Sequence, residues 1–147
     1  MHKFIITGLM ALFVMGCAEY LPISGGVLEG RVLPLPQSLD KITEDKIIQL
    51  ETGVDEAYSV NLWVVEVTGY LHVFAGDNKA AWVENIEQNK NVRLRSGDDI
   101  FELEAVRVTD PQYFSAFSDA WEVKYGNRPQ NEDVEQTYLF RLAPRAP

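Results

Sequence analysis

Apolar and polar residues alternate along much of the chain after position 45, and a period of two is typical of β-strands. Segments 46–52 and 136–142 have apolar or aromatic residues at every second place, whereas 59–67 and 70–75 are apolar on both faces. Two further alternating segments flank Gly97. The pattern therefore predicts about six strands.

The segment Thr68-Gly69 has the length and composition of a hairpin turn, and it would pair Val65 with His72 and Trp63 with Phe74. Both faces of this hairpin are apolar. We expect one face to line a barrel interior and the other to be covered by a helix or a second subunit.

The second hairpin has Gly97-Asp98 at its tip, which places Leu94 opposite Phe101 and Arg93 opposite Glu102. One face is then apolar and the other charged, as in a sheet with one solvated face. A glycine in the first turn position favours a type II′ turn.

Two helices interrupt the strands. A short crossover helix begins near Trp82, and Asp110-Pro111 starts a longer one that Gly126 ends. Aromatic residues repeat at helical spacing in the longer helix, which predicts that it packs on the sheet: Phe114, Phe117, Trp121 and Tyr125. Closure into a small barrel would hide the strand edges. The fold class expected is mainly β (α+β).

The first 17 residues read as an export signal. A basic start and an apolar run lead to Val14-Met15-Gly16-Cys17, which resembles a bacterial lipobox. That resemblance implies that Cys17 is lipidated after cleavage and anchors the protein to a membrane. Because Ala18 follows the cysteine, it implies the outer membrane, facing the periplasm. An ordinary signal peptide that contains a cysteine is the alternative.

The mature chain is strongly acidic. Loss of Lys3 leaves 12 basic residues against 22 acidic ones, a net charge of −10. Nucleic acids require a basic footprint, so they are excluded as partners. Segment 18–45 is rich in glycine and proline and is expected to be a tether and irregular lead-in with one short helical turn, before a barrel domain at 46–147.

Three stretches of the chain have the residues of a known motif set: Leu62-Trp63-Val64-Val65 through Tyr70-Leu71-His72-Val73, then Ala81-Trp82-Val83-Glu84-Asn85-Ile86, then Asn91-Val92-Arg93-Leu94. They resemble the split-barrel flavin-binding superfamily, which includes pyridoxamine-phosphate-oxidase-like proteins and deazaflavin-dependent nitroreductases. The chain also resembles uncharacterised bacterial lipoproteins through Ser24-Gly25-Gly26-x-Leu28-x-Gly30, Ile48-Gln49-Leu50-Glu51-Thr52 and Tyr58-Ser59-Val60-Asn61-x-Trp63.

The superfamily resemblance implies a split β-barrel, a homodimer, and FMN or a deazaflavin in a cleft. It places Trp82, Asn85, Ser59 and Asn61 in that cleft, with Lys79 nearest an anion. No catalytic residue follows from it. Trp82 could instead close the barrel end, and Asn85 could cap a loop. A non-catalytic module that binds another small ligand or an envelope partner is the alternative function.

The charges give a mixed expectation for a phosphate site. The stretch 51–59 contains three acidic residues and no basic one, which predicts repulsion of a phosphate. Arg93 and Arg95 share a strand face and could bind a phosphate, although pairing with Glu102 would explain Arg93 without a ligand. His72 has no second histidine in the mature chain, so a structural role is expected and no metal site.

Overall fold

A computed structural model describes residues 25–53 and 55–147. The predicted signal segment with Cys17 and the start of the predicted tether lie outside the described residues. The strands are β1 (Arg31–Val32), β2 (Ile47–Thr52), β3 (Tyr58–Trp63), β4 (Val65–Val67), β5 (Tyr70–Phe74), β6 (Asn91–Ser96), β7 (Asp99–Arg107) and β8 (Leu139–Pro144). The helices are α1 (Asp40–Thr43), α2 (Ala81–Gln88) and α3 (Pro111–Tyr125).

These strands form one sheet in the order β3-β2-β6-β7-β8-β5-β4, and β1 pairs with the start of β7. The neighbours along this order are antiparallel where their registers are given, and the β1–β7 pair is parallel. The sheet curls until β3 contacts β5. Its concave side encloses an apolar core that includes Leu50, Val73, Leu94 and Leu142. The predicted mainly β barrel fold is confirmed.

The strand count is eight rather than six for two reasons. β1 arises from the lead-in, and the predicted strand 59–67 is divided at Val64. The Val64 N–H donates to the Tyr125 hydroxyl at 3.0 Å, and the Val64 carbonyl accepts from Lys124 Nζ at 2.6 Å. Side chains of α3 thus take the backbone groups that a continuous strand would use. The predicted Trp63–Phe74 pairing is wrong because the strand is interrupted there.

Both hairpin turns have the registers that their sequences predict. Val65 lies opposite His72 across the first turn, and Leu94 lies opposite Phe101 across the second. Thr68 and Gly69 both have positive φ, at 53° and 82°, as a type I′ turn requires. Local turn chemistry therefore determines the pairing in both hairpins.

Helix α3 covers the outer face of the β4–β5 hairpin. Its N-cap Asp110 accepts a hydrogen bond from the Gln112 N–H at 2.9 Å, and Gly126 ends it in the left-handed region at φ 87°. Phe114 and Phe117 are buried against the hairpin. A helix of the same chain therefore covers the face for which the sequence allowed a helix or a second subunit.

Within the predicted lead-in, residues 25–33 lie against the sheet, and we call them the N-terminal strap. Gly25 and Ser59 exchange two backbone hydrogen bonds of 2.8 Å at the edge of β3. Leu28 is 5% exposed, and the Arg31 N–H donates to the Asp98 carbonyl at 2.8 Å. The strap therefore crosses from β3 to β7 over β2 and β6.

The close approach of the strap to the backbone of Asp98 explains why residue 30 is a glycine. A Cβ atom at Gly30 would lie 2.5 Å from the Asp98 carbonyl oxygen, so no other residue fits without movement of backbone. No helix in the described ranges is long and apolar enough to cross a membrane.

Candidate functional site

Five residues were candidates for the cofactor cleft, and the structure places them in three separate environments. Trp82 and Asn85 lie on α2 at the inner side of the sheet, Ser59 and Asn61 lie on the outer side of β3, and Lys79 lies on the surface. They do not line one cleft within a single subunit.

Trp82 is part of the barrel core. Its side chain is 4% exposed, and its ring meets Phe140 edge to face with centroids 5.8 Å apart. This arrangement agrees with the interpretation in which the tryptophan closes the end of the barrel. A ring ligand could stack on Trp82 only after the core opened.

Asn85 and Lys79 have partners within the protein. Asn85 Nδ2 donates to Thr52 Oγ1 at 3.1 Å, which ties α2 to β2. Lys79 Nζ lies 2.7 Å from a Glu87 carboxylate oxygen, and that hydrogen bond raises the pKa of the lysine. The predicted use of Lys79 for an anion would require Glu87 to release it.

The outer side of β3 is covered at one end by the strap. Ser59 is 5% exposed, and a Cβ atom at Gly25 would lie only 2.7 Å from its hydroxyl oxygen. Asn61 lies two residues further along and is half-buried opposite Gln49. A ligand that used both side chains would have to displace the strap from Ser59.

A polar pocket of about 240 Å³ lies where the end of β2, the end of α2 and the chain after β8 meet, and we call it the arginine pocket. It is lined by Glu51, Thr52, Gly53, Asn89, Asn91, Val92, Arg93 and Arg145. Its wall thus includes the segment from which the sequence predicts repulsion of phosphate. The basic groups come from elsewhere in the chain.

Arg93 does not form the ion pair that its strand register suggests. Its backbone lies opposite Glu102 as predicted, but its guanidinium contacts Glu51 on β2, with Nη1 2.9 Å from Oε2. The same Glu51 oxygen accepts from the Leu28 N–H at 2.7 Å. The prediction of an Arg93–Glu102 pair is therefore wrong, since Glu51 on the other neighbouring strand is nearer. The charge of Glu51 is therefore balanced by Arg93.

Arg145 is the residue that sequence reasoning missed. Its Nε and Nη2 atoms donate to the carbonyls of Leu103 and Val92 at 3.1 and 2.9 Å, and its Nη1 atom is 3.7 Å from a Glu102 oxygen. The guanidinium is therefore held in a fixed orientation by the backbone. It lies beyond the last strand in a proline-containing tail, where no motif signals a role.

The lining of the pocket has groups that suit an anion, and its one carboxylate, Glu51, is paired with Arg93. Two arginines contribute to its lining, Arg93 beside Glu51 and Arg145 at 3.7 Å from Glu102, and Asn89 and Asn91 add amide groups. Guanidinium groups suit phosphate and carboxylate because they donate two parallel hydrogen bonds. We therefore take the arginine pocket as the candidate functional site.

A larger groove of about 550 Å³ lies between Phe74, Trp121 and the loop 127–131. Its only arginine, Arg128, contacts three carboxylates within 3.1 Å. These partners raise the pKa of Arg128 and neutralise it. The groove is larger than the arginine pocket but does not offer an available cation.

His72 has the structural role that the sequence predicts. It is fully buried; Nδ1 donates to the Tyr70 carbonyl at 2.9 Å and Nε2 accepts from the Tyr113 hydroxyl at 2.8 Å. Burial lowers the pKa of His72 to about 4. In the described ranges, no group of three or more His, Cys, Asp or Glu side chains is placed to hold a metal ion.

The chain is similar in fold to several solved structures. A candidate pyridoxamine 5′-phosphate oxidase from Listeria innocua superposes with a TM-score of 0.58 at 16% identity, covering 74% of this chain and 90% of that one. An FAD-binding protein from Mesorhizobium loti gives 0.53 at 16%, covering 73% and 86%. An F420 reductase gives 0.51 at 18%, covering 76% and 97%.

No family model matches the sequence, and no curated protein matches it either. At these identities the structural similarity establishes the fold alone. The secondary-structure elements of this chain agree with the superfamily resemblance in the sequence. They are a curled antiparallel sheet, the crossover helix with Trp82, and a long helix on the outer face. The chain has the split-barrel fold found among flavin-binding and F420-dependent proteins.

Proposed function

We propose that this protein is a lipid-anchored, periplasm-facing split-barrel protein that binds a flavin or a deazaflavin through its phosphate. The observation that carries the proposal is the arginine pocket, in which Arg93 and Arg145 lie beside the one lining carboxylate, Glu51. Solved proteins of the same fold include an FAD-binding protein and an F420 reductase. FMN, FAD and F420 all carry phosphate, which is the group that paired guanidinium groups recognise.

The size of the pocket limits which part of the cofactor it can hold. Small-molecule sites usually enclose about 300–1,000 Å³, whereas this pocket has about 240 Å³. It can accept a phosphate but not the ring system. The ring would then lie outside the pocket, against a surface that a second copy of the chain completes. The proposal therefore includes the homodimer that the superfamily resemblance implies.

If the protein is an oxidoreductase, the cofactor supplies the redox chemistry and the chain supplies binding and orientation. We assign no catalytic residue. In the alternative proposal, the protein is a non-catalytic module that binds another small anion or an envelope partner. Burial of Trp82 favours the alternative, because the aromatic residue expected to contact the ring is engaged in the core.

The test is a binding titration with a matched pair of variants. The full chain, purified from membranes, is examined for visible absorbance and titrated with FMN, FAD, F420 and riboflavin. Arg145→Gln should weaken binding of the phosphorylated compounds about tenfold or more, since a hydrogen bond to a charged group is worth about 1.5–3 kcal/mol. It should leave riboflavin, which has no phosphate, unchanged.

Arg31→Gln is the control. This arginine pairs with Asp99 outside the pocket and its side chain is 73% exposed, so its loss should not change binding. Saturable binding that responds to Arg145→Gln alone supports the proposal. A colourless protein that binds none of the four compounds refutes the cofactor proposal and leaves the non-catalytic one.

The anchor is tested independently of the cofactor. The proposal expects Cys17 to carry acyl chains, which the mass of the N-terminal peptide would show. It also expects Cys17→Ser to release the protein from the membrane fraction and the wild type to sediment with the outer membrane. Several acyl chains give firm attachment because each buried methylene contributes about 0.8 kcal/mol. An unmodified Cys17 would refute this part.

A further inference from the structure

Two large apolar side chains are exposed side by side on the outer face of the β2–β3 hairpin. Ile47 and Trp63 lie directly opposite each other in the register, and they are 52% and 44% exposed. Single exposed apolar residues are common, whereas this adjacent aliphatic and aromatic pair forms one small continuous apolar patch. We call this pair the Trp63 face.

The tryptophan is held in position on one side only. Its ring stacks on Tyr125 with centroids 4.3 Å apart and planes 13° apart, and Trp121 lies 5.4 Å away. The Tyr125 hydroxyl accepts from the Val64 N–H, which fixes it to the chain next to Trp63. Trp63 is thus oriented by the fold while nearly half of its side chain remains accessible.

The strap runs in a fixed direction along β3. Gly25 pairs with Ser59 in an antiparallel bridge, so the strap runs away from Trp63 as it leaves Gly25. Trp63 lies four residues beyond Ser59, or about 13 Å along a strand. The described chain therefore begins level with Ser59, on the side of the strap that is nearer to Trp63.

The tether is short. Cys17 precedes Gly25 by eight residues, which span at most about 29 Å when fully extended. We propose that the Trp63 face rests on the lipid bilayer into which the acyl chains on Cys17 insert. This inference depends on the proposed lipid anchor. Tryptophan and tyrosine are suited to the headgroup region because their rings are apolar and their N–H and O–H groups are polar.

The charge of the protein specifies the kind of lipid. The whole chain has a net charge of −9, so an anionic surface would repel the domain. The Trp63 face should therefore rest on zwitterionic lipid and lift from vesicles rich in anionic lipid. The exposed Lys46 lies next to Ile47 and is compatible with headgroup phosphates.

The experiment measures contact between Trp63 and lipid in the full lipidated protein. The protein is reconstituted into phosphatidylcholine vesicles that contain lipid brominated in the acyl chain, and tryptophan fluorescence is recorded. The other two tryptophans, Trp82 and Trp121, are 4% and 8% exposed and should respond little. We expect quenching in the wild type, its loss in Trp63→Phe, and a smaller effect with anionic lipid present.

Ile47→Asp and Val32→Asp form the matched pair, because Val32 is 54% exposed at the far end of the strap. Ile47→Asp should abolish the quenching and Val32→Asp should leave it unchanged, with thermal unfolding of both variants checked. Flotation with vesicles and the mass of the N-terminal peptide report on the anchor. A protein that floats with its acyl chains but shows no quenching refutes the docking alone. A protein without acyl chains that does not float refutes the anchor and the docking together.

Discussion

Protonation of His72 should destabilise the protein at low pH by an amount that the structure allows us to calculate. The neutral imidazole donates through Nδ1 to Tyr70 and accepts through Nε2 from Tyr113. Burial lowers its pKa from 6.5 to about 4, and the nearby Arg141 acts in the same direction. A proton on Nε2 would place a second donor against the Tyr113 hydroxyl.

The sign of the pH dependence follows from the proton affinity of His72 in the folded and the unfolded chain. The unfolded chain binds a proton near pH 6.5 and the folded chain near pH 4, so the contribution is complete above pH 6.5 and is lost progressively as the pH falls from 6.5 to 4. A shift of this size corresponds to about 3 kcal/mol, of which about 2.5 kcal/mol is already lost at pH 4.5.

The assay is urea unfolding at pH 7.5 and pH 4.5 for the wild type and for His72→Gln, which removes the titration. Carboxylates also titrate in this range. Subtracting the loss of unfolding free energy in the variant from the loss in the wild type removes their contribution. We expect the wild type to lose about 2.5 kcal/mol more than the variant on acidification. An equal loss in both proteins would show that His72 is already charged in the folded state or is accessible to water.

Two further substitutions test the close contacts described above. Gly30→Ala should lower the free energy of unfolding by about 1–3 kcal/mol, because the added Cβ would meet the Asp98 carbonyl. Gly26→Ala is the control, since a Cβ at that position has no neighbour within 4 Å. Both variants are measured in the same urea titration. Trp82→Ala should cost about 3–5 kcal/mol, while Trp82→Phe should retain both folding and any flavin affinity. Loss of flavin binding in a stably folded Trp82→Phe would mean that the ring contacts the ligand.

The sequence predicts the fold best where the information is local. The Gly97-Asp98 turn sets the β6–β7 register, and Asp110 with Gly126 sets the ends of α3. It fails where side chains from distant elements decide the outcome. The break at Val64 depends on Tyr125 and Lys124 of α3, which no pattern within 59–67 reveals.

The strap shows why composition alone misleads in the lead-in. Glycine and proline in 18–45 predict a tether, because such residues favour irregular chain. At Gly30 the glycine serves the opposite purpose, since it lets the strap lie against the backbone of β7. Glycine is common both in flexible chain and where two backbones pack closely. At Gly30 only the nearby Asp98 carbonyl shows that the second reason applies.

The sequence predicts the acidic part of the candidate site but not its arginines, and the arginines change what the site can bind. Glu51 and its acidic neighbours suggest a site that repels phosphate, yet the pairing of β2 with β6 places Arg93 beside Glu51, and the tail brings Arg145 to the same wall. Glu51 also holds the strap, because one of its oxygens accepts from both Leu28 and Arg93. Arg93 Nη1 also donates to the Leu28 carbonyl at 3.3 Å, so an anion that draws Arg93 away would weaken the attachment of Leu28. Occupation of the pocket and release of the strap should therefore be coupled through Arg93, and by linkage release of the strap should alter anion affinity by the same factor.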